Sequence, residues 1–201
     1  MAVEADHLIT YRPCSASPEE FVEFWASQYQ YGQEGLYTDN IGRRPLTPPR
    51  IQDLYIWKNG GKLSGSKEQS VRRNFVARID ECQRLPTDTT AREFLDRYPT
   101  GGAIWRIFWL HCWRPAQFPI YDQHVHRAMS FIEGHAEELA GMKDVEKIEA
   151  YLRRYLPFWR RLFRGLDGRQ VDRALWVFGK FIKTSTFPDL SHSPNARPPD
   201  Q

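Results

Sequence analysis

Several features are scarce in this 201-residue chain, and each scarcity excludes something. Its three cysteines, Cys14, Cys82 and Cys112, lie far apart and make neither a zinc spacing nor a disulfide framework, which points to a reducing cytoplasm. In a bacterial source that would mean association with the nucleoid. The opening stretch, MAVEADHLITYRPCS, has no basic segment followed by an apolar one and does not read as a signal peptide. The longest apolar run, Ile104 to Trp113, is broken by Arg106 and His111 and is too short to cross a bilayer, so no membrane partner is expected. Strand-type alternation is missing, as are internal repeats, and this argues against sheet architectures.

Aromatic residues and helix signals are plentiful. Seven Trp, nine Tyr and twelve Phe, within a chain that is 41% hydrophobic, suit one aromatic-rich core in one or two lobes. Ser17-Pro18-Glu19-Glu20 is a capping box with proline at the first helical position and opens a helix through about Tyr29. Gly32 to Pro49, rich in glycine and proline, reads as a long loop. Ile51, Leu54, Tyr55 and Trp57 form a short helix stopped by Asn59-Gly60-Gly61. Val71, Phe75, Val76, Ile79 and Cys82 keep helical spacing, and Thr90 to Glu93 is a second capping box. Ala103 to Trp113 is apolar almost all round, the mark of a buried central helix. Further stripes are Val125, Ala128, Met129 and Ile132; then Val145, Ile148, Tyr151, Leu152 and Tyr155, ending before Pro157; then Val171, Ala174, Leu175, Phe178, Phe181 and Ile182. The expected fold class is all-α: a single helical domain over 1–187, monomeric, with a disordered tail over 188–201.

Net charge is only +3, but it is unevenly spread. From Arg153 to Lys183 nine basic residues face two acids, so this segment carries +7 and the remainder −4. A second basic group comprises Arg43, Arg44, Arg50, Lys58, Lys62, Lys67, Arg72, Arg73 and Arg78. Basic residues interleaved with Trp, Phe and Tyr suit a polyanion that also offers flat bases, a nucleic acid. Arg160 and Arg161 are the leading phosphate contacts in the first group. A set of solvated helix faces is the plain alternative.

The informative stretch is residues 91–129. It reads as a helix, a glycine turn at Tyr98-Pro99-Thr100-Gly101-Gly102, a buried helix, a Pro-containing loop, and Asp122 at the start of a further helix. A turn ending in two glycines bares backbone N–H groups at the next helix N-terminus, where a phosphate is favoured. Asp122 is a natural N-cap. A carboxylate there is also suited to stabilising an oxocarbenium-like sugar and guiding water, as in glycoside hydrolysis.

This stretch resembles the helix-hairpin-helix DNA glycosylase superfamily of endonuclease III and adenine glycosylase. The family hairpin, roughly L-P-G-V-G, matches Tyr98 to Gly102, and the interval to the aspartate matches without a gap. Phe118-Pro-Ile-Tyr-Asp122-Gln-His-Val-His-Arg127 is similar to the F-P-I-L-D-G-N-V-x-R of the adenine glycosylase branch. Val171 to Lys180 resembles the family's later helix. The match covers about 90–183, and more loosely 51–83. It implies a two-lobed helical fold packed around the central helix 103–113, with Asp122 catalytic. The partner it implies is double-stranded DNA, contacted by Pro99, Thr100, Gly101, Gly102, His124 and Arg127, with a monovalent Na+ or K+ held by the hairpin backbone at 99–102; an ordinary interhelical turn is the alternative for that hairpin. Lys58 or Asn59 would fill the gap left by an extruded base, with a helix C-cap at Asn59 and Gly60 an equal alternative. Tyr31, Tyr37, Trp57, Ile104 and Trp105 are the candidates for the base pocket, with a place in the core the competing reading for each aromatic one; His111 and His126 read as structural.

Two departures sharpen the expectation. Lyase members carry a lysine where Ile104 stands, and an aliphatic side chain forms no Schiff base, so a monofunctional enzyme leaving an abasic site is implied. No cysteine follows Cys112, so no iron–sulfur cluster is expected, nor any other cofactor. Two rivals remain open: a DNA-binding module without catalysis, and a metal-dependent nuclease using Asp122 with nearby histidines.

Overall fold

The computed structural model describes residues 16–184, and every regular element among them is helical. Cys14 and the expected tail at 188–201 lie outside the described residues. None of the helices is long and apolar enough to cross a membrane.

Local chemistry explains most boundaries. Helix α1 (Pro18–Ser27) opens on the expected capping box: Ser17 Oγ accepts from Glu20 N–H at 3.2 Å and Glu20 Oε2 accepts from Ser17 N–H at 2.8 Å. The glycine- and proline-rich loop is not featureless. It holds the short helix α2 (Glu34–Thr38), because Tyr37 has a buried place to go. Helix α3 (Pro48–Asn59) begins earlier than the apolar pattern, since two prolines at its start need no N–H partners, and Gly60 ends it in the left-handed conformation. Helices α4 (Gly65–Asn74), α5 (Ile79–Gln83) and α6 (Ala91–Arg97) follow, α6 on its Thr90/Glu93 capping box.

Helix α7 (Ala103–Trp113) is the core, with nine of its eleven residues buried. Helix α8 (Gln123–Ile132) starts at Asp122. Helix α9 (Asp144–Ala150) runs through a π-type turn at Tyr151–Tyr155 into α10 (Leu156–Leu162) rather than stopping before Pro157. The wider turn, closed by Leu156 N–H on the Tyr151 carbonyl, relieves the crowding that a proline ring imposes on an α-helix. Val145, expected in the apolar stripe, is 63% exposed. Helix α11 (Gly168–Thr184) packs against α1 and α8. The α8 contact is unusually close: a Cβ on Gly179 would lie 1.9 Å from the His124 carbonyl oxygen, so only glycine lets the two backbones meet.

Candidate active site

A cavity of about 520 Å³ opens between α3, the start of α7, the start of α8 and α11. Its volume lies within the roughly 300–1,000 Å³ of small-molecule sites. Asp122 stands in its wall, as do Tyr31, Trp57, Lys58, Asn59, Ile104, Trp105 and His124.

Asp122 both caps a helix and faces the cavity. Its Oδ1 accepts from His124 N–H at 2.9 Å and Val125 N–H at 3.1 Å, the N-cap arrangement. Its Oδ2 is bound at 3.2 Å by Lys58 Nζ, from a residue 64 positions earlier in the chain. The carboxylate is 20% exposed and the lysine only 6%. Lys58 Nζ also donates to the Tyr121 carbonyl at 3.4 Å and sits 5.6 Å from the Phe108 ring centroid. Burial alone would raise the Asp122 carboxyl, but the Lys58 ammonium and the Val125 N–H outweigh it and hold Asp122 below the usual carboxylate range. The result is an ionised carboxylate at the edge of an aromatic chamber. The nearby His124 ring is held below its ordinary value, chiefly by burial, and packs edge-on to Trp176 at 5.6 Å.

The glycine turn at 98–102 lies outside the cavity lining and leads into the helix that carries Ile104 and Trp105 to it. Gly101 and Gly102 both have positive φ, at 104° and 82°, and a Cβ on Gly101 would come within 2.6 Å of the Phe75 ring. Pro99 and Thr100 are exposed, with Thr100 Oγ1 donating to Asn74 Oδ1 at 2.9 Å. Ile104 and Trp105, one turn on, line the cavity, and the Trp105 carbonyl accepts from Tyr55 Oη at 2.9 Å.

The other expected site residues divide. Tyr31 lines the chamber and donates to the Trp57 carbonyl at 2.8 Å. Tyr37 lies behind the wall, buried, with its hydroxyl 2.8 Å from His111 Nε2 and its ring 4.5 Å from Trp57. Asn59 holds the loop after α3, donating to the Gly61 carbonyl at 3.0 Å and accepting from Lys67 Nζ at 2.7 Å. Arg127 is turned inward: it pairs with Glu138 and donates to the Gly179 carbonyl at 2.9 Å, tying α8 to α11. Arg160 and Arg161 are exposed on α10, outside the chamber wall, and Arg161 pairs with Glu133 at 3.0 Å. His111 hydrogen-bonds the Phe118 carbonyl at 2.7 Å and is pushed down to about 3 by burial; His126 hydrogen-bonds the Tyr121 hydroxyl at 2.7 Å. Among the described residues no three His, Cys, Asp or Glu side chains gather as a metal site.

The strongest surprise is α11. Arg169 and Arg173, two of the nine basic residues in the +7 segment, converge on Glu34 at 2.6 and 2.9 Å. Burial would raise the Glu34 carboxyl, yet hydrogen bonds from Arg173 and Arg169 hold it below its usual value. Arg153 and Arg154 are likewise paired, with Glu149 and with Glu137 and Glu133. Much of that segment's charge is thus matched locally. The same helix brings Arg169, Asp172 and Trp176 to the chamber wall. Their spacing of three and four residues, on the face opposite the apolar stripe, is the signal in the sequence that marks them as a set.

Compared with known proteins, the chain matches no family model, no curated protein and no solved structure.

Proposed function

We propose that this protein is a DNA N-glycosylase of the helix-hairpin-helix kind. It extrudes one base from a duplex into the chamber and hydrolyses its glycosidic bond. The observation that carries this is the Asp122 carboxylate, held ionised by Lys58, on the wall of an aromatic chamber that the hairpin helix also lines. Hairpin N–H groups at Gly101 and Gly102 would grip a phosphate, while the aromatic walls would receive the flat base. As the C–N bond breaks, electron density leaves with the base, and Asp122 stabilises the positive sugar. Water then adds to the anomeric carbon, Asp122 accepts its proton, and an abasic site remains in an unbroken strand.

A panel of duplexes, each with one modified base and developed with alkali, tests this. The expected result is cleavage at one or a few bases, undiminished by EDTA. Asp122→Asn should keep DNA binding and lose base release by several orders of magnitude. Near wild-type release by that variant would sink the assignment.

One observation favours a second chemistry at the same site. Lys58 Nζ, 3.2 Å from Asp122, is an amine where the hairpin position holds only Ile104. Released of its proton, it would displace the base from the anomeric carbon and, as the sugar ring opens, form an imine, which would add strand cleavage to base removal.

A further inference from the structure

Arg169, Asp172 and Trp176 line the chamber from α11, and two of them have their polar atoms or ring accounted for. Arg169 is bound to Glu34 and lies 4.3 Å over the Tyr37 ring, and Trp176 packs against His124. Asp172 is different. Its side chain is buried, 4% exposed, and its Oδ1 has no hydrogen-bond partner, while the Ile120 backbone hydrogen-bonds the carboxyl. A buried carboxyl oxygen left without a partner is destabilising, so its persistence calls for an occupant. The flat rings of Tyr31, Trp57, Trp105 and Trp176 line the same chamber. A nucleobase has this complementary form, with two π faces and a polar edge.

We propose that Asp172 is the residue that reads the extruded base, its Oδ1 pairing with a hydrogen-bonding atom on the base edge. This rests on the glycosylase reading of the same chamber and names what selects the substrate within it. The polarity of the pair follows from the surroundings. Asp172 is faced by Lys58 from α3, Asp122 from the head of α8, Tyr37 from α2, Tyr151 and Tyr155 from the π-type turn, and Arg169 on its own helix. Burial foremost, with Asp122 adding to it, outweighs Arg169 and Lys58 and pushes the carboxyl up to about 8. At neutral pH it therefore keeps a proton and donates it. The atom it reads is an acceptor, a carbonyl oxygen or an unprotonated ring nitrogen. Two carboxyls on one chamber then divide the work: Asp122 ionised at the sugar, Asp172 protonated at the base.

The test uses the full chain and free bases: adenine, cytosine, uracil, hypoxanthine, and purines with a ring nitrogen replaced by C–H. Trp57, Trp105 and Trp176 line the chamber, so intrinsic fluorescence reports occupancy. Wild type should bind at least one base, and lose about tenfold or more when the acceptor is replaced or when Asp172→Leu removes the carboxyl. Asp172→Asn, whose amide donates at any pH, should retain binding. Affinity of wild type for a base that does not itself ionise should fall above about pH 8, while Asp172→Asn stays flat. If Asp172→Leu fails to fold, that comparison of pH profiles decides alone. Absence of base binding by wild type, equal binding by Asp172→Leu, or matching pH profiles would overturn the proposal. Base binding that depends on Asp172 without base release from any duplex would keep it and discard the glycosylase. Release by Asp172→Leu with unchanged base preference would do the reverse.

Discussion

Asp172→Asn should make the protein more stable, and by an amount that depends on pH. The native carboxyl holds its proton up to a pH of about 8, whereas in the unfolded chain it ionises near 3.8. Between those values the native state binds more protons than the unfolded one, so wild-type stability falls as pH rises through the window. At 1.36 kcal/mol per unit, the penalty is about 2 kcal/mol at pH 5, about 4 kcal/mol at pH 7, and levels off at about 6 kcal/mol above pH 8. Asparagine is nearly isosteric and removes the ionisation, though its amide still needs partners in the position where Oδ1 has none. The net gain at pH 7 is therefore set lower, at about 2 kcal/mol. The decisive quantity is the slope. Urea denaturation of both proteins from pH 5 to pH 9 should show the gap widening by about 4 kcal/mol. A difference between the two proteins that stays constant across this range would refute the reasoning that burial keeps this carboxyl neutral.

Borohydride trapping on a verified substrate separates the two chemistries at Lys58. Hydrolysis by water gives no covalent adduct with wild type, while a strong adduct that disappears in Lys58→Ala would establish the imine route and end the monofunctional assignment. If Arg160 and Arg161 hold phosphates, replacing both with alanine should weaken duplex binding equally on all sequences and lower the slope of log K against log salt by about one for each phosphate no longer neutralised. An unchanged slope would confine them to a solvated face. Gly179→Ala should lower stability by about 3 kcal/mol, because the new methyl meets the His124 backbone rather than a side chain that can swing away. Gly65→Ala, at a position open to solvent, is the control expected to change little.

Residues whose role depends on near neighbours are the legible ones. Asp122 can be placed at a helix start because N-capping is settled within three residues, and α7 can be placed centrally because it has no polar face. The glycines of the hairpin announce a backbone that only glycine adopts easily. Charges are legible in sign but not in destination. Arg169 and Arg173 read as part of a basic, phosphate-seeking segment because nothing near them in sequence neutralises them; their partner, Glu34, lies 135 and 139 residues earlier. Arg127 is a similar case: its bond to the Gly179 carbonyl becomes visible only when α8 and α11 meet, while its other partner, Glu138, follows it by 11 residues. Lys58 reads as a residue near the DNA gap, but its grip on Asp122 needs α3 and α8 brought together. Asp172 is easily passed over because the apolar stripe accounts for its helix, and its three-and-four spacing with Arg169 and Trp176 shows no excess hydrophobicity to stand out.

The Glu34–Arg169 pair joins nearly the two ends of the described chain, and α1 lies along α11 beside it. Giving the chamber its α11 wall therefore closes a loop of 135 residues, at an entropic cost that grows with loop length. A growing chain that has emerged through α8 already possesses the hairpin, Lys58 and Asp122. It still lacks Trp176, Arg169 and Asp172. The glycine turn, Lys58 and Asp122 are thus encoded in the interior of the chain, and the chamber wall that carries Arg169, Asp172 and Trp176 in its closure.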